Sequence, residues 1–492
     1  MTFFCEFEMG SEQSSLKEGS EIETSLDVPH SISDITAEWL ERSLKHNQII
    51  PSEVTISSLR IDQLGCEDGG GVSGASIVRL LLTYDSPQSS GLPSSMICKF
   101  TRGVRRDLSF KSRILFDLVY GDEADWARRE MHFFSNIAPQ LEDTRFRFPK
   151  AYFSQIMDNN KRGTLEKYFS NIPHTIRSII IMEDLQSWEG SLLGTRLSKE
   201  KVALCMENLA ALHASFWGKC EELETNGVQL STYEVSSRGG RYSNMGSFLQ
   251  RRYINSSALL RKKVDRFLNG IEATHPATKL SESSILPDWL TVPPSEDGTV
   301  SPFKDPLVRE MLYVFAERLP RYYEEGAKYV LEIKPPQTIL HGDFHPGNHL
   351  FGNIDNKENV VALDFQFTGL GIVAIDLVYF FETSYPVTNY SEIQAILKIY
   401  HDALIGNGVI DYQFDELCFE FEVFLINRMI CGVPLSDRFS LDDIIRQNAE
   451  FFGPGKSDMI DFLVKSGNFG RRYILMAASL YTHNKDAFMT LG

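Results

Sequence analysis

The stretch QTILHGDFHPGNHLFGNIDNKENVVALDFQFTGLGIVAIDLVYF, residues 337–380, decides how the rest of the chain is read. A short apolar run, Thr338 to Leu340, feeds the loop HGDFHPGN. His349 to Phe351 then reads as a strand, the polar run GNIDNKEN as a reversal, and Val360 to Leu363 as a second strand ending at Asp364. Strands that run back along each other bring Asn348 and Asp364 to one end of a hairpin, although 16 residues separate them. Two oxygen ligands placed together suit a hard cation such as Mg²⁺, which keeps waters and shares substrate phosphates. Asp343, in the loop just before, then has the task of orienting and deprotonating an alcohol.

Outward from this segment the pattern divides in two. Upstream, TISSLRIDQL (55–64), ASIVRLLLTY (75–84) and SSMICKF (94–100) are rich in Ile, Val and Leu and separated by Gly, Ser and Pro, which predicts antiparallel strands. ADWARREMHFFSNI (124–137) sets Trp126, Glu130, Phe133, Phe134 and Ile137 along one helical stripe, and a strand pair follows near 151–156 and 178–183. After Leu185 the period becomes helical, with Val202, Met206, Leu209, His213 and Phe216 on the buried side of a helix over 199–217. Residues 1–30, rich in Ser and Glu, offer too little apolar surface to offset ordering entropy and are expected to be a disordered tail. The folded part is expected to open with a helix over 34–44, capped by Ser33 or Asp34. The expected organisation is an α+β chain: a small antiparallel-sheet lobe with one key helix over 31–185, and a larger, mainly helical lobe over 186–492.

With these residues in view, the 337–380 segment resembles the catalytic segment of the aminoglycoside phosphotransferase and choline kinase group of small-molecule kinases, whose motif is His, any residue, Asp, four residues, Asn, then a strand ending in Asp. The match is His341, Asp343, Asn348 and Asp364; LDFQ and the downstream IDLVYFF with Asp376 are most similar to the ecdysteroid-kinase-like branch. The resemblance implies a two-lobed, protein-kinase-like fold, ATP and Mg²⁺ as cofactors, and a small-molecule alcohol as acceptor. It assigns Asp343 to catalysis and Asn348 and Asp364 to the metal. CEDGGGVSGASIVRLLLTY (66–84) becomes the phosphate-covering turn, with Gly70, Gly71, Ser73 and Gly74 as candidate contacts. Lys99 meets the α and β phosphates, Glu130 pairs with it, and the backbone near Glu183 to Leu185 reads the adenine edge. Asp376 and His341 are assigned to bracing the loop. The glycine turn matches no strict GxGxxG, Gln366 stands where protein kinases have the glycine of DFG, and no APE motif follows, which argues against a protein kinase.

Composition limits the alternatives. The chain has 492 residues, and 49 Lys and Arg against 66 Asp and Glu give a net charge of −17, which opposes general nucleic-acid binding. The densest basic run, Lys99 to Arg113, is interrupted by Asp107. Seven scattered cysteines without a CxxC pair, an acidic N-terminus, and no window near the roughly 18 apolar residues of a membrane span predict a cytoplasmic protein with no membrane partner. Two rival readings stand beside the kinase: a metal-dependent phosphoesterase built on His341, Asp343, His345 and His349, and an inactive nucleotide binder. The acceptor stays open between a cationic alcohol facing Glu416, Glu420, Glu422, Asp442 and Asp443 and a sterol-like one facing Tyr379, Phe419, Phe421 and Phe424.

Overall fold

The computed structural model describes residues 27–64, 75–85, 91–102, 123–142, 144–158, 176–191, 197–225, 257–273, 305–384, 389–438 and 474–485. The glycine turn with Gly70, Gly71, Ser73 and Gly74, Asp442 and Asp443, and all but the last residues of the expected tail lie outside them.

The first part is helix α1 (Ala37–His46), strands β1 (Ile56–Gln63), β2 (Ala75–Tyr84) and β3 (Ser95–Arg102), helix α2 (Glu123–His132), and strands β4 (Ala151–Asp158) and β5 (Ile176–Glu183). The strands form one antiparallel sheet in the order β1-β2-β3-β5-β4. Alternation decides which side chains enter the cleft. Val78, Leu80 and Leu82 of β2 and Met96, Cys98 and Phe100 of β3 are buried in one cluster with Trp39, Leu40 and Leu44 of α1. Successive strand residues point to opposite faces, so the neighbours of that set, Ile77, Arg79, Ile97 and Lys99, occupy the other face. Lys99 is opposite Ile77 on one side and Ile180 on the other.

Two local expectations change. α1 is capped by Thr36, whose hydroxyl accepts from the Trp39 amide at 3.1 Å, and not by Ser33 or Asp34. Those two residues are used by the preceding 3-10 turn, Ile32–Asp34, where the Ser31 hydroxyl reaches both, and Ile35 is extended, so the helix starts afresh at Thr36. The helix carrying Glu130 is α-helical only to His132; Phe133–Ile137 forms a π turn that still buries Phe133, Phe134 and Ile137.

The second part holds β6 (Glu189–Gly190), α3 (Lys199–Ser215), α4 (Cys220–Thr225), α5 (Ser257–Ala273), α6 (Pro306–Ile333), β7 (Thr338–Leu340), β8 (His349–Ile354), β9 (Lys357–Ala362), β10 (Gly369–Gly371), α7 (Ala374–Ser384), α8 (Tyr390–Gly406) and α9 (Phe414–Arg438), with residues 474–483 again helical. α3 buries the five residues its period selects: Val202, Met206, Leu209, His213 and Phe216. Their cluster includes Leu340, Phe344, Phe365 and Ile180, so one core runs from the helices to the underside of the sheet. A five-stranded antiparallel sheet with one inserted helix, followed by a helical part bearing a hairpin, is the expected α+β organisation. Among the described residues no helix is long and apolar enough to cross a membrane.

Candidate active site

The hairpin is tighter than the sequence expectation. β8 and β9 pair from His349 with Ala362 down to Ile354 with Lys357, so only Asp355 and Asn356 of GNIDNKEN make the turn. Both have positive φ, 51° and 62°, the two-residue reversal that short polar side chains tolerate. At the opposite end the Leu363 amide donates to the Asn348 carbonyl at 2.8 Å, which puts Asn348 and Asp364 together at the mouth of the hairpin. Asp364 itself has φ 64°, in the left-handed region. The Asn348 side-chain nitrogen donates to the Asp343 carbonyl at 3.0 Å, so its oxygen is the atom directed elsewhere.

The loop before the hairpin is held from beneath. The Asp376 carboxylate, at the start of α7, accepts from the amides of His341 at 2.7 Å and Gly342 at 2.9 Å. Gly342 has φ 77°, which a glycine adopts without strain. Asp376 also meets His213 Nε2 at 3.3 Å, and His213 Nδ1 meets the Tyr400 hydroxyl at 2.7 Å, so α3, α7 and α8 converge under the loop. The His341 Nδ1 accepts from the Asp343 amide at 3.2 Å, which leaves Nε2 to carry the proton that goes to the Leu363 carbonyl at 3.0 Å. That is a neutral imidazole, and burial holds its pKa below the usual histidine value. The Asp343 carboxylate is 3.2 Å from His345 Nε2. His349 is fully buried, edge-on to the Phe344 ring with centroids 4.3 Å apart, and burial pushes its pKa well down. The histidines of the rival metal reading are thus used separately, and among the described residues no three His, Cys, Asp or Glu side chains are arranged to hold a metal.

Charge from the sheet reaches the hairpin at Lys99. Its Nζ is 2.7 Å from Glu130 Oε1 and 2.7 Å from Asp364 Oδ1, bridging β3, α2 and the hairpin mouth. Burial works to lower the Lys99 pKa, but the carboxylates of Asp364 and Glu130 outweigh it and hold the ammonium above its ordinary value. Burial raises the Glu130 carboxyl, against the pull of Lys99. Aromatic packing fixes this approach: Phe365, the residue after Asp364, is stacked on Phe133 with ring centroids 3.6 Å apart, and Trp126 of α2 lies 5.0 Å from Phe367.

Glu183 ends β5 opposite Met96, and its amide donates to the Lys150 carbonyl at 2.9 Å, while the Leu185 carbonyl accepts from the Trp188 amide at 2.9 Å. Of the acceptor candidates, Glu420 and Glu422 are buried and take hydrogen bonds from the hydroxyls of Tyr412 and Tyr390, and Phe421 and Phe424 lie in the core. Phe419 is partly exposed at 37%. Burial raises the Glu422 carboxyl above its usual range. The sequence reading missed the Tyr400 contact with His213 and the partners of Asp184; contacts across 187 and 105 positions leave no local signature.

A profile of the ecdysteroid kinase-like family matches residues 307–408. A comparison with curated proteins finds no match. Among solved structures, the ethanolamine kinase of Plasmodium vivax is 14% identical, covering 88% of this chain and 84% of its own, with a TM-score of 0.37. The choline kinase of Cryptosporidium parvum Iowa II is 10% identical, covering 90% and 97%, with a TM-score of 0.39. A spectinomycin phosphotransferase in complex with ADP and spectinomycin is 12% identical, covering 88% and 99%, with a TM-score of 0.32. The matched span, 307–408, holds His341, Asp343, Asn348, Asp364 and Asp376, and over it the chain is similar to the ecdysteroid kinase-like family, the resemblance its motif carries in the sequence.

Proposed function

We propose that the protein is an ATP-dependent phosphotransferase that moves the γ-phosphoryl group of ATP onto a hydroxyl of a small molecule. The observation that carries this reading is the Lys99 ammonium at 2.7 Å from both Glu130 and Asp364, three residues from three elements that meet at the end of the hairpin. Phosphoryl transfer needs little covalent chemistry from a protein; it needs phosphates held and their developing charge offset. Lys99 supplies the fixed positive charge, and Glu130 keeps it aimed.

The residues present fit Mg²⁺. Asp364 offers a carboxylate whose side chain remains 25% exposed, and Asn348 offers an amide oxygen whose nitrogen is already used. These are hard oxygen donors, the set that Mg²⁺ accepts. Bound there, the ion would offset phosphate charge. Asp343 holds the acceptor hydroxyl in line and takes its proton late, so it need not be a strong base. The Asp376 bonds to the His341 and Gly342 amides keep that carboxylate in position. The backbone from Glu183 to Leu185 reads the adenine edge.

The test is an ATP-consumption screen over a panel of small alcohols with Mg²⁺, run on the wild type and on Asp343→Asn. Turnover that depends on one class of alcohol and disappears in the variant supports the reading. Hydrolysis of phosphoesters without nucleotide, by protein carrying stoichiometric zinc or manganese, would replace it with the phosphoesterase.

A further inference from the structure

Asp184, between Glu183 and Leu185 in the segment that follows β5 and serves as the hinge between the sheet and the helical part, has partners of its own. The Asp184 side chain is only 4% exposed, and its carboxylate faces the Arg79 guanidinium at two points: Nε to Oδ2 at 2.7 Å and Nη2 to Oδ1 at 3.2 Å. The Ser95 hydroxyl donates to the same Oδ2. Arg79 belongs to β2 and Ser95 opens β3, so one carboxylate just past β5 is bonded to both strands that roof the cleft. A forked guanidinium–carboxylate pair is stronger and more directional than a neutral hydrogen bond, and a lysine cannot reproduce it.

Its place on the sheet gives it a use. Arg79 lies two residues from Ile77, which is opposite Lys99, and Ser95 lies four residues before Lys99 on β3, so all of them share the cleft face. At ~3.3 Å per residue the fork stands about 13 Å along β3 from Lys99. One sheet face therefore has a phosphate-holding lysine at one end and a fixed hinge at the other, an arrangement sized for an extended nucleotide. The flanking backbone is pinned as well, by Lys150 at Glu183 and by Trp188 at Leu185.

We infer that Arg79, Asp184 and Ser95 form a latch that fixes the hinge backbone against the roof strands, and that these positioning residues set the affinity for the nucleotide base and the discrimination between bases. The inference rests on the ATP reading above. Without the fork, the hinge backbone shifts relative to β2 and β3, and the base loses its match while the phosphate end, held by Lys99, is unchanged.

Calorimetric binding of Mg·ATP and Mg·GTP to the full-length chain tests this without an acceptor. The wild type is expected to prefer ATP. Arg79→Lys and Asp184→Asn should each weaken ATP about tenfold, as expected for losing a charge-assisted fork, and should narrow the ATP-to-GTP ratio. The double variant should be little worse than the weaker single one, because both act through one contact. A merely structural role would reduce the number of binding-competent molecules and leave the affinity ratio of the folded fraction as it was; that result overturns the latch. Wild-type affinity and ratio in both single variants overturn it too and leave the kinase reading standing, as does a wild type that binds the two nucleotides equally. A wild type that binds neither nucleotide overturns both.

Discussion

The catalytic hairpin and the sheet bring charge to the same cleft by opposite means. From His341 to Asp364 the polar groups are fixed mostly by near neighbours: Asp343 by His341 and His345, Asn348 by Asp343, Leu363 by Asn348. Lys99 and Glu130 come from separate elements, and Lys99 reaches a partner 265 positions away. The first arrangement needs the hairpin and the brace that Asp376 gives its loop; the second needs the sheet packed against the hairpin mouth. The hairpin therefore should govern chemistry, and the lysine bridge should report lobe closure and nucleotide position.

The sharpest way to break this contrast is at Asp343. Asp343→Ala should cut kcat on the order of 10² to 10⁴-fold with ATP binding nearly intact, because the residue addresses the acceptor. Kinetics with any accepted alcohol, beside nucleotide titration, would show it; an equal loss of ATP affinity would mean that loop and sheet are not separable. On the sheet side, Lys99→Ala should cost on the order of 10² in turnover. Glu130→Ala should cost less, and the double variant should be little worse than Lys99→Ala, since Glu130 acts through the lysine. Additive losses in this cycle would give Glu130 a task of its own.

Two smaller changes sharpen the comparison through stability. A Cβ at Gly352 of β8 would come within 2.4 Å of the Trp188 ring, just past the hinge, so Gly352→Ala must displace the contact that joins hairpin to hinge. About 1 to 3 kcal/mol of destabilisation is expected, read by denaturant unfolding. Thr36→Ala removes the cap of α1 on the far face of the sheet and should cost about 1 kcal/mol with kcat unchanged; a change in turnover would show that the outer face communicates with the cleft.

What the sequence disclosed follows the same division. The strands of the sheet, the helix over α3 and the hairpin were legible because each rests on a short-range period: Val78, Leu80 and Leu82 alternate, and Val202, Met206 and Leu209 recur at helical spacing. Asn348 and Asp364 were legible because a hairpin converts sequence spacing into proximity. The cap was misplaced because Ser33, Asp34 and Thr36 are all good capping residues, and only the path of Ile35 selects among them. The π turn after His132 leaves the buried stripe intact and so left no mark on the pattern. Arg79 and Asp184 carry no local signature, and Glu420 and Glu422 read as candidates for facing a cationic acceptor, because the partners of all four lie far away in sequence or on other elements.

The left-handed backbone at Asp364 has an evolutionary side. At φ 64° a β-branched or bulky residue strains the chain, whereas asparagine and glycine are at ease. Both are reached from an aspartate codon by a single base change, and both delete the negative charge. The substitutions most accessible at this position thus preserve the hairpin and silence the proposed chemistry. A descendant gene released from selection on turnover would drift to asparagine or glycine here while its product still folded, so residue 364 in a sister sequence works as a marker of whether the cleft is still in use.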